Sequence, residues 1–388
     1  MRPDHAIKST PVRRARRMAF SVNINAVIVV LLLAAAILSG TTLSEAQIAV
    51  ELMLMVLLTF QIIKLRFLRG EIVLLAVLLV TQIVSFIIND IYVFLLNAKI
   101  FVLAVLVFIY FKKVHYQTRL IGVVFLLNLL LVAHQVVAGE FILGAAQFIG
   151  QFQHLTASRP LGIFLHTHVS AFFAAVYLLY LAHFRRFYLL DFVYLYCIYS
   201  LFTLVSYFCQ RVSAMAPIKY VLSRINVFAL IAVTLVIIYL SADLILSLAT
   251  ATGFREFSVV IILNQLVDPF FYKPLLTPFP TDYAAYVTAQ QEIVPIGNEI
   301  QYVTTYIQGG FILATVFLYH IFKHFKHFRI FIMISMLHYG LLINIPLMLY
   351  MLVTYEAELE RKERMKKAQK VATDNVPPAR AVPIRSLD

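Results

Sequence analysis

The sequence predicts an all-α, polytopic integral membrane helix bundle of about 10–12 spans, and three observations carry that prediction. Hydrophobic residues make up 62% of the 388 residues and charged ones only 13%, whereas a soluble domain is nearer half apolar and a quarter charged. Several apolar runs approach or exceed the roughly 20 residues that cross about 30 Å of hydrocarbon. Lys and Arg fall in short clusters between those runs, as the positive-inside rule expects. The short alternating segments of a β-barrel are absent. The net charge of +13 is therefore a topological signal, and no nucleic-acid partner is expected. Trp is absent, so Tyr and Phe must supply any interfacial aromatic belt. Cys197 and Cys209 lie in or beside an apolar run and read as buried thiols, with no disulfide framework or metal motif.

Residues 1–17 are polar and end in Arg13, Arg14, Arg16 and Arg17, which places the N-terminus in the cytoplasm. The first span, about 18–38, has no small-residue cleavage site close behind it and reads as a retained helix. A second span, about 46–63, returns to Lys64, Arg66 and Arg69. Spans at about 71–88 and 91–111 form a hairpin returning to Lys112, Lys113 and Arg119, with Asn89 and Asp90 in the outer turn. A fifth span covers about 120–137. Each pair of basic clusters thus encloses two spans, and the count puts the loop 138–167 outside. That loop carries a single Lys or Arg, Arg159, together with His154 and His166, and His168 follows it. A sixth span, about 168–184, comes back to Arg185 and Arg186, and a seventh, about 187–208, goes outward to Arg211.

Another apolar run covers about 226–248. Residues 251–301 form the longest non-spanning segment, where Pro269, Pro274, Pro278 and Pro280 rule out a continuous helix. Arg255 and Lys273 face five acidic residues there, so the loop is net acidic and fits outside. A span at about 302–322 returns to Lys323, Lys326 and Arg329. An even number of spans is needed between Arg186 and Lys323, yet three are clear; either the run 226–248 is kinked into two short passes or, the favoured reading, a short pass near 257–271 restores the parity. The stretch 330–354 reads as two short passes bent near Gly340–Pro346, with one long helix and an outside tail as the alternative. Residues 1–354 make the transmembrane domain. Residues 355–388 make a basic cytoplasmic tail, helical over 355–370 and disordered beyond.

Three polar clusters open spans on the outer side: around Arg159, around Arg224 and around Glu299. Arginines at an apolar interface are costly unless paired, and a diphosphate suits the guanidinium fork. The alternative for Arg224 is snorkelling to the interface. Glu299 at a span mouth suits a general base, or else caps a helix. His166 and His168 stand at i and i+2, a poor spacing for a metal pair on one helix face. The run His320, His324, His327 reads as a solvated face against lipid headgroups.

In order and spacing over about 120–350, these clusters resemble the O-antigen polymerase and ligase superfamily. Arg159-Pro-Leu-Gly162-Ile-Phe164-Leu-His166 is similar to its first motif. Ser223-Arg224-Ile-Asn226 is similar to its Ser-Arg-x-Gly motif, with Asn in place of Gly, and Ile296-Gly297-Asn298-Glu299 to its third. The ligase branch carries a His in the late loop, and 251–301 has none, which favours a polymerase.

The resemblance implies a membrane glycosyltransferase of the bacterial inner membrane, without metal or cofactor. It would join oligosaccharide repeat units carried on undecaprenyl diphosphate at the outer face. Arg159 and Arg224 would stabilise the departing diphosphate, and Glu299 would deprotonate the acceptor hydroxyl. His166, His168, Arg211, Arg255 and Tyr302 complete the candidate substrate-binding set. Expected partners are the lipid-linked oligosaccharide, membrane lipids, and other polysaccharide export and chain-length proteins. A transporter or flippase of a lipid-linked saccharide is the alternative from another class. A membrane acyltransferase using His166 or His168 is a third.

Overall fold

A computed structural model describes residues 23–41, 43–89, 91–114, 119–138, 160–165, 167–183, 191, 201–214, 278–280, 301–336 and 345–374. Among them the chain is all-helical, with three helices long and apolar enough to cross a membrane.

The chain begins as a series of hairpins. Helix α1 (Ile24–Leu38) is capped by Asn23, whose side chain accepts the Asn25 N–H at 3.1 Å, and it packs on α2 (Ser44–Ile62). Helices α3 (Arg69–Ile88) and α4 (Ile91–Lys113) form the next hairpin, and α5 (Arg119–Ala138) follows. The three long apolar helices are α2, α3 and α5, and each buries only a stripe. In α5 the stripe is Ile121, Val124, Asn128 and Val132; in α3 it is Glu71, Leu74, Leu78, Thr81 and Ser85. Those spacings of three and four are one helical face. The remaining faces expose Phe60, Leu79, Phe86 and Leu130, which water would penalise and lipid does not.

Helix α4 differs: Phe101 and Leu103–Phe111 are all buried. A helix apolar on every side belongs inside a bundle. Around it pack α2, α3, α8 (Gln301–His324) and α10 (Ile345–Asp374). Helix α6 (Thr167–Ala182) is buried in the same way and touches α5, α7 (Leu201–Ser213) and α10. The short α9 (Arg329–Ser335) lies against α7.

The basic clusters gather at one end of this bundle. Lys112 and Lys113 close α4 by pairing with buried Glu71 at 3.3 and 2.6 Å, and Glu71 also accepts the Leu68 N–H that opens α3. Lys113 bonds the Arg66 carbonyl, Tyr110 bonds Asn25, and Gly70 lies against His320 of α8. His183, just past α6, meets His327 ring to ring. This is the arrangement that the span count predicts for the start of the chain.

The later half departs from the count in three places. A single helix over 187–208 would hold residues 191 and 207 about 24 Å apart. Instead Tyr207 donates to Asp191 at 2.5 Å, a contact that one unbroken helix over 187–208 does not allow. Helix α7 then ends beside the first turn of α9, where Gln210 accepts the Phe331 N–H at 2.9 Å. The run 226–248 and the expected pass near 257–271 lie outside the described residues.

Second, seven-residue α9 spans about 10 Å, too short to cross. His327 before it and Glu356 within α10 are bonded to each other, so the excursion between them ends where it began. One long helix with its tail at the far end is excluded. The expected boundary at 354 falls inside α10, which runs unbroken for 30 residues into the charged stretch.

Third, the run His320, His324, His327 is no solvated face. His324 packs edge-on against Phe108 of α4, and His327 is bonded to α10.

Candidate functional site

The segment 160–165 sits inside the bundle although it is not helical. Pro160, Leu161, Gly162 and Phe164 are buried, and Phe164 packs on Phe173 of α6 with ring centroids 4.8 Å apart. Buried backbone outside a helix needs partners of its own. Helix α5 supplies two. Gln135 and Asn128 lie two turns apart on one face; Gln135 accepts the Leu161 N–H at 2.8 Å, and Asn128 accepts the Ile163 N–H at 2.9 Å. Ser170 of α6 donates to the Leu161 carbonyl at 2.5 Å. Asn128 is nine residues from Arg119, so it stands about 13 Å along the helix, near its middle. Part of the expected outer loop 138–167 thus reaches bundle depth.

Gly162 makes this geometry accessible. Its φ is +64°, and a Cβ there would overlap Asn128 Oδ1 and come within 2.6 Å of Ser170 Oγ. Leu165 also takes a left-handed φ of +52°, an uncommon state for a non-glycine residue, and it sits against the turn after α1. A Cβ on Gly40 in that turn would come within 2.9 Å of Leu165 Cβ. Helix α6 starts directly from this clamp, and its 16 residues cover about 24 Å back toward the basic end.

A second irregular element enters the same half of the bundle. Helix α8 breaks at Gly310, where φ is +69°. There Pro278 replaces the helix's own acceptor, taking the Ile312 N–H at 3.3 Å, and Asn89 holds the Pro280 carbonyl at 3.1 Å. A side chain at Gly310 would run into the Phe279 backbone at 2.5 Å.

An ion pair also lies in this half. Lys99 of α4 meets Glu51 of α2 at 2.9 Å, and Gln47 donates to the same carboxylate at 2.8 Å. Lys99 is 13 residues before Lys112, so it stands about 20 Å from the basic end.

Of the residues singled out by sequence, Arg159, His166, Arg224, Arg255 and Glu299 lie outside the described residues. His168 sits half-buried in the first turn of α6, immediately after the clamped segment. Tyr302 falls in the first turn of α8. Arg211 is placed otherwise than expected: it follows Gln210 beside the start of α9, near the basic end, and its electrostatic neighbour is Asp191.

Sequence reasoning passed over Asn128, Gln135, Glu51 and Lys99. Their signal was present. An Asn inside Phe-Leu-Leu-Asn-Leu-Leu-Leu, or a Glu and a Lys within apolar runs, is costly in lipid and asks for a partner. No family model, curated protein or solved structure matches this chain.

Proposed function

We propose that this protein is a membrane glycosyltransferase that polymerises lipid-linked oligosaccharide repeat units. An acceptor hydroxyl attacks the anomeric carbon of the donor repeat unit. The undecaprenyl diphosphate departs, and the hydroxyl proton passes to a base. The observation that carries the reading is the clamp on Pro160–Leu165. Two side-chain acceptors and Ser170 fix the backbone that directly continues Arg159. A guanidinium attached to so rigid a support is suited to bind a diphosphate through its fork.

Glu299, two residues before α8, is the candidate base, and Tyr302 with His168 flanks the same half of the bundle. Arg211 drops out of the substrate set, because its surroundings are those of the basic end. Arg224, which lies outside the described residues, is the second guanidinium of the anion site in this proposal. By the positive-inside rule the basic end faces the cytoplasm of a bacterial inner membrane. The clamped half then opens to the periplasm, where repeat units and the export and chain-length partners would meet.

The test is purified protein with lipid-linked repeat units, read as a ladder on a gel. Arg159→Lys keeps the charge and loses the fork, so the rate should fall about ten- to a hundred-fold, the worth of one charge-assisted contact. Glu299→Gln should remove the ladder, since a base contributes typically 10²- to 10⁴-fold. Full ladders from both variants overturn the mechanism.

A second reading, transport of a lipid-linked saccharide, is favoured by one observation: the break of α8 at Gly310 with Pro278 docked into it. Broken helices line the binding sites of many transporters. Movement of substrate across liposomes by wild-type protein, with no ladder under any condition, would select it.

A further inference from the structure

We propose that His327 forms a proton-dependent latch that holds the projecting half of α10 against the turn between α8 and α9. The latch does not depend on the polymerase reading. Its parts come from three elements. Glu356 of α10, fully buried, accepts the backbone N–H groups of Lys326 and His327 at 2.8 and 3.1 Å. His327 Nδ1 lies 2.8 Å from the same Glu356 carboxylate. His327 Nε2 lies 3.1 Å from Glu363, two turns further along α10 and about one-third exposed.

Other charged or titratable groups face the ring from each side. From α10 there is also Glu360, which pairs with Lys326 at 3.8 Å; from the end of α6 there is the His183 ring; the turn itself adds Lys326. The two carboxylates approach opposite ring nitrogens and do not converge on one point, and no metal-binding group forms among the described residues.

The chemistry follows from the ring. Only the doubly protonated imidazolium donates from both nitrogens. Neutral His327 can keep its bond to Glu356, which is anchored by two backbone donors as well. It then turns a lone pair toward Glu363, and that contact becomes repulsive. Burial alone would lower the proton affinity of His327, but the bonds and charges of Glu356 and Glu363 outweigh it and raise it above the ordinary histidine value of 6.5. Deprotonation therefore releases the outer tether first. Glu356 keeps the inner part of α10 in place, while the helix beyond Glu360 loses the Glu363 contact with the turn.

Spin labels at Lys323→Cys and Lys367→Cys, with Cys197 and Cys209 replaced by Ser, report the distance between the turn and the projecting helix. In lipid nanodiscs at about pH 6, wild type should give one narrow distance distribution. At about pH 9 it should gain a second, broader population. His327→Gln should show the broad population at both pH values. Glu363→Ala, which removes only the exposed tether, should show it at both as well and leaves the buried Glu356 contacts intact. A wild-type distribution that is the same at both pH values overturns the latch. So does a pH-dependent broadening that persists unchanged in Glu363→Ala.

Discussion

At the basic end, charge is met by charge: Lys112 and Lys113 pair with Glu71, and His327 stands between Glu356 and Glu363. In the opposite half, the clamped backbone of 160–165 is met by neutral groups, Asn128, Gln135 and Ser170. The difference follows from solvent. An ion pair near an aqueous boundary keeps part of its hydration, whereas a carboxylate at the middle of a bundle carries a desolvation cost of several kcal/mol. A neutral amide offers the same acceptor oxygen without that cost. The exception, Glu51 away from the basic end, pairs with Lys99 and also accepts from Gln47.

Substitutions can break either side of this comparison. Gly162→Val should have the largest effect. It forces a branched residue into a left-handed φ and drives its Cβ into Asn128. The strain costs about 1–2 kcal/mol, and overpacking adds about 1–3 kcal/mol. Loss of monodisperse protein on gel filtration in detergent checks it; Gly162→Val with wild-type yield and melting temperature contradicts it.

Asn128→Leu comes next. It fills the site with a similar volume but leaves the Ile163 N–H without its acceptor, a loss of about 1–3 kcal/mol. Thermal unfolding in detergent measures this. Gln135→Leu should cost less, because Gln135 is nearer the end of α5, where water can replace it. Equal losses from the two would mean that depth plays no part.

The clamp was only half legible in the sequence. The sequence placed Arg159-Pro-Leu-Gly162 in a loop between spans, where Pro and Gly punctuate a chain that is otherwise helical. Its depth was not announced, since depth is set by which helix approaches, and that is a tertiary fact. The second to fifth helices were readable to within about two residues, from apolar runs between basic clusters, and the first at its C-terminal end. The span expected over 187–208 misled as one unbroken helix, because an apolar run does not announce a contact such as that of Tyr207 with Asp191. The histidine run misled in a related way: three His and two Lys look like a wet surface until Glu356 and Glu363, some thirty residues on, are brought to them.

Two smaller effects sharpen the basic-end side. The raised proton affinity of His327 means that the latch contributes fully below the unfolded value near 6.5 and is lost as pH rises through the higher folded value. Melting temperature in detergent should therefore decline on the alkaline side of 6.5 in wild type. The decline should be shallower in His327→Gln, and identical slopes contradict the assignment. Glu363→Gln should have the smallest effect on stability, below about 1 kcal/mol, because its carboxylate is partly exposed. Its signature is the change in pH dependence.

Hydrogen exchange of the Leu161 and Ile163 amides tests directly whether irregular backbone is held at bundle depth. Both donate to side chains of α5, so in wild-type protein they should exchange as slowly as the buried amides of α6, despite lying outside any helix. In Asn128→Leu the Ile163 amide should become fast while α6 stays protected. Exchange of both amides in wild type at the rate of an open loop would contradict the clamp, and with it the site built upon it.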